Sequence, residues 1–294
     1  MYKPWREAWQ GKGVDRESHS YEYIIAHYTV CKDFRSTRAA YEGAGVSAHY
    51  TIENDGTINL TVDPEKYIAF HAGPSAFDDR ESLNYYSIGI ENINPGFTNE
   101  YEEIPPFGPP IRISGDQRWW FPFDERQFTA SMTLARCLHD KYRIPSWNFV
   151  THADVAVGRK SDVGPMWDYE RAFREFGVGY FPEETHQVVF DHFGKFIDSD
   201  YIDFIGAFGY RLPAGVGVAD MVRAYQMHYS RMDISGELSQ PTKINILKHV
   251  VGLAGYVDPY THESYGRFHS LLRQWAIKNP DKALTFEEYC DITQ

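Results

Sequence analysis

One loop decides how this chain is interpreted: Thr151-His152-Ala153-Asp154-Val155-Ala156-Val157-Gly158-Arg159-Lys160-Ser161-Asp162-Val163-Gly164-Pro165. Within it, a lysine and an aspartate follow the histidine at eight and ten residues. A second histidine, His27, ends a short apolar run far upstream. Two histidines and one carboxylate make a three-ligand zinc set, which leaves the fourth tetrahedral position for a reacting water. The pattern therefore predicts one catalytic Zn²⁺ per chain, bound by His27, His152 and Asp162.

Both histidines follow stretches that are typical of buried strands. Residues 23–27 are apolar and partly β-branched, and residues 148–151 lead to His152 in the same way. If the two strands are neighbours, both imidazoles lie at the same edge of a sheet. Taken alone, a histidine at a strand end is more often a hydrogen-bonded structural residue than a ligand, so that alternative stays open.

Two further residues have side chains that suit hydrolysis. Glu91 ends the apolar stretch 87–90, and a carboxylate there can take a proton from water and pass it to a leaving group. Lys160 can stabilise the negative charge that develops on a tetrahedral carbon. The simpler alternatives are a glutamate in a salt bridge and a solvated loop lysine. Four more residues are predicted to line the cleft and bind substrate: His71, Asn94, Arg159 and His49, the last of which is otherwise a core histidine.

Strands alternate with helices over the first part of the chain. We expect an irregular lead-in over 1–20, a short helix from Asp33 that ends at Gly43, and a hairpin around residues 54–56. The six prolines and three glycines of residues 95–122 indicate a long loop, and Asp124 with Gln127 suggests a capping box for the next helix. This alternation predicts an α/β class with functional groups along one sheet edge.

The pattern turns helical after residue 182. Met221, Val222, Tyr225 and Tyr229 fall on one helix face. We therefore predict a catalytic domain over residues 1–182, a small all-α domain over 183–258 and a helical tail over 259–294. The other apolar residues behind this prediction are Val188, Val189, Phe190, Phe193, Ile244, Leu247, Val251 and the stretch 265–277.

Charge and composition exclude several classes of partner. The 294 residues include 29 basic and 41 acidic side chains, which gives a net charge of −12. Nucleic acids and anionic membranes bind clustered lysine and arginine, so we expect neither as the main partner. No apolar stretch is long enough to span a bilayer. The oligomeric state stays open.

The compartment is not decided by the sequence. No apolar signal region follows Met1, so the protein is cytoplasmic if Met1 is the true start, and periplasmic or associated with the outer membrane if a signal was removed. Cys31, Cys137 and Cys290 are widely spaced and form no Cys-x-x-Cys pair, which favours reduced thiols.

Five ordered motifs carry a family resemblance. They are His27-Tyr28-Thr29, Ser47-Ala48-His49-Tyr50, His71-Ala72-Gly73, Ser87-Ile88-Gly89-Ile90-Glu91 and the loop from His152 to Pro165. Over residues 20–180 the chain resembles the zinc-dependent N-acetylmuramoyl-L-alanine amidases of the type-2 amidase family, which are related to peptidoglycan recognition proteins. The resemblance implies that His27, His152 and Asp162 are zinc ligands, that Glu91 is the acid/base, and that Lys160 stabilises the transition state. It also implies a mixed central β-sheet flanked by helices.

The helical part resembles the peptidoglycan-binding domain of AmiD-type amidases. The matching features are residues 224–229, the turn at Gly236 and Thr242. The expected activity is hydrolysis of the amide between N-acetylmuramic acid, in its 1,6-anhydro form as well, and L-alanine of the stem peptide, for cell-wall turnover or recycling. The alternatives are a module that recognises peptidoglycan without cutting it, and a lytic endolysin or secreted effector with the same chemistry. The intact Asp162 favours an enzyme over a module that only binds.

Overall fold

A computed structural model of the chain describes residues 6–7, 13–15, 20–182 and 196–265. Its strands are β1 (Arg6–Glu7), β2 (Gly13–Asp15), β3 (Tyr23–Tyr28), β4 (Tyr50–Ile52), β5 (Ile58–Leu60), β6 (Tyr67–Ala69), β7 (Ala76–Phe77), β8 (Arg80–Glu81), β9 (Ser87–Asn92), β10 (Phe97–Thr98), β11 (Ile111–Arg112), β12 (Trp119–Trp120) and β13 (Phe149–Thr151). Its helices are α1 (Phe34–Ala44), α2 (Glu125–Tyr142), α3 (His152–Val155), α4 (Tyr169–Phe176), α5 (Asp198–Ala207), α6 (Val218–Tyr229) and α7 (Gln240–Gly255).

A six-stranded mixed sheet in the order β1-β5-β4-β9-β3-β13 forms the centre of the fold. β4 and β5 form the predicted antiparallel hairpin, whereas β9, β3 and β13 run parallel to one another. The carboxyl ends of parallel strands meet at one edge. The register pairs His27 with Glu91 and Ala26 with Thr151, so the residue after β13, His152, lies beside β3.

Helix α2 covers one face of this sheet. Its apolar residues Phe128, Met132 and Leu138 pack with Ile24 and Ile88 of the central strands. Asp124 caps the helix by accepting a hydrogen bond from the Arg126 amide. The predicted capping box is wrong, because the Gln127 side chain donates instead to the carbonyls of Ile52 and Ile93. Gln127 thereby fastens α2 to the strands below it.

The other face is covered by the helical part of the chain. Ile25 and Val150 of the sheet share one apolar cluster with Phe204, Val222 and Ile246 of helices α5, α6 and α7. The predicted fold class, a mixed sheet flanked by helices and followed by an all-α part, is confirmed. The domain boundaries stay predictions. Residues 188–193 and 266–277, on which two helical predictions were made, lie outside the described part of the chain.

Three local predictions need correction. Residues 95–122 are not wholly a loop, because β10, β12 and β11 form a small antiparallel sheet within them. The first twenty residues include β1 and β2, each paired with a later strand. Helix α1 continues past Gly43 and is capped by Gly45, whose positive φ of 68° favours glycine. Cys31 and Cys137 are free, as expected, and among the described residues no helix has the length and apolar character to cross a bilayer.

Candidate metal centre

Three ligand atoms converge at the edge of the sheet. Nδ1 of His27 lies 3.0 Å from Nδ1 of His152 and 3.0 Å from Oδ2 of Asp162, and the third distance, His152 Nδ1 to Asp162 Oδ2, is 2.9 Å. All three side chains are buried. The loop that carries Asp162 is tied back to α3 by a hydrogen bond of 2.7 Å from the Ala153 amide to the Asp162 carbonyl. Residues that are 125 and 135 positions apart thus meet at one point.

The protonation of His152 follows from its partners. Its Nε2 lies 3.0 Å from the carbonyl oxygen of Ala72, which can only accept, and 3.3 Å from Nη2 of Arg159, which can only donate. A proton on Nε2 satisfies the shorter of these two contacts. In the neutral ring Nδ1 then presents a lone pair toward Asp162. A metal ion bound by both groups satisfies this lone pair and the carboxylate oxygen 2.9 Å away. The backbone carbonyl therefore holds this imidazole in the form that binds metal.

His27 is oriented by a chain of side chains. Its Nε2 lies 3.0 Å from Nδ1 of His71, and Nε2 of His71 lies 3.4 Å from the Ser87 hydroxyl, which donates to the Leu83 carbonyl at 2.5 Å. A proton on Nε2 of His27 satisfies every step, and it leaves Nδ1 free to bind metal. Burial, together with neighbouring His152, lowers the pKa of His27 to about 4, which keeps the ring neutral.

The donor set fits zinc. A tetrahedral zinc ion with bonds of about 2.0–2.2 Å keeps its ligand atoms roughly 3.3 Å apart, close to the separations of 2.9–3.0 Å seen here. Burial alone would raise the pKa of Asp162, but His152 and His27 hold it well below its usual range, so the carboxylate is ionised. These three residues form a group that can hold a metal ion.

Glu91 lies next to His27 across the sheet and has the properties of a proton carrier. Its Oε2 is buried and has no hydrogen-bond partner among the residues that the structure describes. Burial and the charge of Asp162 raise the pKa of Glu91 to about 8, against the opposing effect of Lys160. A buried carboxyl whose pKa lies near neutrality can both accept and release a proton. The alternative of a strand-end salt bridge finds no support, because no ion pair of Glu91 is present in this part of the structure.

Lys160 and Arg159 follow α3 in an exposed turn. The amides of both residues donate to the Ala156 carbonyl. Lys160 is close enough to lower the pKa of both His27 and Glu91 through its charge. Arg159 donates from Nη2 to the carbonyls of Ala72 and Pro74, both at 2.7 Å, and so braces the segment on which His152 depends.

Like Arg159, the other three residues predicted to bind substrate are engaged within the protein. His49 is buried, and its ring accepts from the Gly89 amide at 3.0 Å and contacts the Tyr67 carbonyl at 3.2 Å. Asn94 is also buried, and it bridges the Pro122 carbonyl and the Gly96 amide. His71 engages both ring nitrogens, Nδ1 with His27 and Nε2 with the Ser87 hydroxyl. Their hydrogen bonds within the protein show what holds these side chains in place, and their roles in substrate binding stay predictions.

A buried network that the sequence analysis missed connects this loop to the helical part. Asp154, two residues after His152, accepts from the Tyr210 hydroxyl at 2.6 Å and from the Thr151 amide at 2.8 Å, and it lies 2.8 Å from Nδ1 of His228. Both residues lie in stretches that the sequence already marked as important: Asp154 in the loop of residues 151–165 and His228 in the motif of residues 224–229. Nothing in either stretch showed that they meet.

The family comparison agrees with this geometry. The family model for N-acetylmuramoyl-L-alanine amidase (Amidase_2) matches residues 17–165, which include all three ligand candidates and Glu91. The chain belongs to the N-acetylmuramoyl-L-alanine amidase family. The predicted family and enzyme class are confirmed.

Members of this amidase family are similar over most of the chain. The N-acetylmuramoyl-L-alanine amidase AmiD of Escherichia coli K12 is 28% identical over 234 residues, which are 75% of this chain and 79% of AmiD. The 1,6-anhydro-N-acetylmuramyl-L-alanine amidase AmpD of the same organism is 29% identical over 168 residues, 57% of this chain and 70% of AmpD. The crystal structure of AmpDh3 from Pseudomonas aeruginosa gives a TM-score of 0.65 at 28% identity and covers 78% of this chain and 91% of AmpDh3.

A structure of Escherichia coli AmiD supports the fold. It was solved with the substrate anhydro-N-acetylmuramic acid-L-Ala-D-gamma-Glu-L-Lys, and it gives a TM-score of 0.67 at 24% identity over 83% of this chain and 91% of AmiD. The match extends well past residue 182, so it includes the helical part.

Proposed function

We propose that this protein is a zinc-dependent hydrolase that cleaves the amide between N-acetylmuramic acid and L-alanine of peptidoglycan stem peptides. The observation that carries the proposal is the meeting of His27, His152 and Asp162 within 3.0 Å, with the outer nitrogen of each imidazole engaged elsewhere. A bound zinc ion supplies Lewis-acid chemistry, polarising a carbonyl group and making water acidic enough to attack near neutral pH.

The chain's own residues provide the proton transfers. Glu91, with a free and buried Oε2, accepts a proton from the attacking water. The same oxygen then donates that proton to the leaving nitrogen of L-alanine, because an amide nitrogen leaves readily only after it is protonated. The ammonium group of Lys160 stabilises the negative charge on the carbonyl oxygen as the tetrahedral carbon forms.

The substrate class is taken from the relatives. AmpD is named as an amidase of 1,6-anhydro-N-acetylmuramyl-L-alanine, and AmpDh3 has been solved with an anhydromuramic pentapeptide. We propose that this protein accepts soluble muropeptides, including anhydro forms, and that its helical part of residues 183–258 contributes to peptidoglycan binding. We further propose that it acts in the periplasm or at the outer membrane if its natural precursor carries an export signal, and in the cytoplasm if it does not.

Release of free stem peptide tests the proposal. Purified protein is incubated with anhydro-N-acetylmuramoyl tripeptide, and the products are identified by mass spectrometry. We expect free peptide, loss of its release after treatment with a chelator, and recovery when zinc is added. Binding of the muropeptide without release, in protein that contains one zinc per chain, would instead identify a recognition module.

A further inference from the structure

Arg118 is held rigidly beside the metal centre. Its guanidinium lies 4.5 Å from the ring centroids of both Phe97 and Trp120, whose rings are 5.1 Å from each other. Its Nε and Nη2 atoms form a forked ion pair with Asp116, at 2.8 Å for both Nε–Oδ2 and Nη2–Oδ2. Asp116 is itself fixed by a hydrogen bond of 3.1 Å from the Trp120 indole. Stacking on two rings and a forked ion pair leave the guanidinium little freedom.

The third guanidinium nitrogen, Nη1, faces the sequence neighbours of two metal ligands. Nη1 lies 3.3 Å from the Ser161 hydroxyl, which in turn lies 3.2 Å from the Tyr28 hydroxyl. Ser161 directly precedes Asp162, and Tyr28 directly follows His27. The guanidinium and the two hydroxyls therefore form one connected polar group next to the segments that carry His27 and Asp162.

We propose that Arg118 is a specificity-determining residue that binds a carboxylate of the stem peptide through Nη1, together with the hydroxyls of Ser161 and Tyr28. The carboxylate is the α-carboxylate of the second residue of the stem. This inference rests on the proposed function, because it names a subsite of the same reaction. A guanidinium that is already ordered loses little entropy when it binds an anion, and its hydrogen bonds to a carboxylate are charge-assisted.

The chemistry of the stem peptide selects that group. L-alanine has no free carboxylate, because its carboxyl group is in the next peptide bond. In the substrate solved with AmiD the second residue is a γ-linked D-glutamate, and such a linkage leaves the α-carboxylate free. This α-carboxylate is the anion closest to the scissile amide. A group near the scissile amide is the expected ligand of Arg118, because Ser161 and Tyr28 are next in sequence to Asp162 and His27.

A matched pair of substrates tests the subsite. N-acetylmuramoyl-L-alanyl-D-glutamate and N-acetylmuramoyl-L-alanyl-D-isoglutamine differ only in that the α-carboxylate is a carboxamide in the second. We expect the zinc-loaded protein to favour the carboxylate substrate in kcat/KM by about tenfold, the size of one charge-assisted hydrogen bond. In Arg118→Gln the ratio of the two kcat/KM values should fall to about one. The neutral glutamine side chain no longer offers the charge that only the carboxylate substrate used.

Two further variants complete the design. Arg118→Lys keeps the positive charge and should keep part of the preference, and it replaces the glutamine variant if that protein does not fold. Arg112→Gln is the matched control, because Arg112 stacks on Trp119 in the same small sheet and is exposed. Its preference should equal that of the parent.

The outcomes separate the two proposals. Equal kcat/KM for both substrates in the parent, or an undiminished preference in folded Arg118 variants, overturns the subsite. Failure of the zinc-loaded parent to release peptide from either substrate, or from the tripeptide, overturns the proposed function itself.

Discussion

His228, on the last turn of α6, lies 2.8 Å from Asp154, which is two residues after His152 in the metal-binding loop. Both side chains are buried, and the rings of Tyr169 and Tyr229 lie 4.1 Å and 4.0 Å from the His228 ring. The helical part therefore contributes directly to the support of α3. We infer that the metal centre depends on residues far outside the segment that the family model matches.

The Tyr210→Phe variant tests that dependence. It removes the hydroxyl that donates to Asp154 at 2.6 Å. Because this bond reaches a buried carboxylate, we expect the free energy of unfolding to fall by about 1.5–3 kcal/mol and zinc affinity to fall roughly tenfold. Urea denaturation and competition with a chromophoric chelator measure the two effects. Tyr101→Phe is the control, since Tyr101 also donates to a carboxylate but is exposed. Unchanged zinc affinity in Tyr210→Phe would show that the helical part does not position the ligands.

The Glu91→Gln variant separates proton transfer from metal binding. The change removes the proton acceptor and nearly preserves the shape, so turnover should fall by roughly 10²–10⁴ while one zinc per chain is retained. His27→Ala should lose both. Peptide release and elemental analysis measure the two properties, with Glu81→Gln on the exposed strand β8 as the control. Cleavage by Glu91→Gln at the parent rate would contradict the assigned role.

The Gly89→Ala variant tests the chain of contacts behind His27. A Cβ at this position would lie 2.5 Å from Cγ of His71, so the imidazole must move away from Nε2 of His27. We expect zinc affinity to fall roughly 10- to 100-fold, as for other groups that orient a ligand. Gly43→Ala is the control, because its Cβ meets no atom within 4 Å in helix α1 and should stabilise the helix slightly. Parent-like affinity in Gly89→Ala would mean that His71 does not orient His27.

We predict that the buried His139 makes the folded protein less stable in acid. Its Nδ1 donates to the Ile144 carbonyl at 2.9 Å, and burial lowers its pKa to about 4 despite that bond. The unfolded chain, with a histidine pKa near 6.5, binds more protons between these values, so stability is complete above about pH 6.5 and is lost as the pH falls toward 4.

The effect is measured by comparing variants. Asparagine at position 139 cannot titrate. Between pH 6.5 and 4 the free energy of unfolding of His139→Asn should therefore fall by less than that of the parent, the difference being on the order of 3 kcal/mol. Urea denaturation across this range measures the difference, and His262→Asn at an exposed position is the control. Parallel pH profiles for the parent and His139→Asn would rule out this account.

Part of the centre could be predicted from the chain because its signals are local. Apolar runs that end in His27 and Glu91 are readable as buried strands, and parallel pairing then brings their ends together. The Asp154–His228 contact was not predictable, because 74 residues separate the pair and nothing in the loop or in the motif of residues 224–229 showed that the two meet. Arg118 was missed for another reason: the prolines of residues 95–122 indicated a loop, which concealed the small sheet that fixes its position.

The surroundings of two polar residues, His49 and Asn94, could not be predicted from the chain. His49 lies in a family motif and Asn94 follows another by three residues, and sequence alone cannot tell whether such a side chain faces a cleft or bonds to the backbone. In the structure both satisfy buried amides and carbonyls. Their role is to connect strands and loops, which a pattern of residue types does not reveal.

The two imidazoles of the centre differ in how easily a substitution elsewhere in the chain can disturb their positions. His27 is kept in place by the side chains of His71 and Ser87, so a single codon change at either position can release it. His152 relies on the main-chain oxygen of Ala72, an atom that every amino acid possesses. Random mutagenesis should therefore recover second-site defects of the first histidine readily at positions 71 and 87, whereas defects of the second should arise at positions that place the backbone around residue 72 or support α3, among them Arg159 and Tyr210.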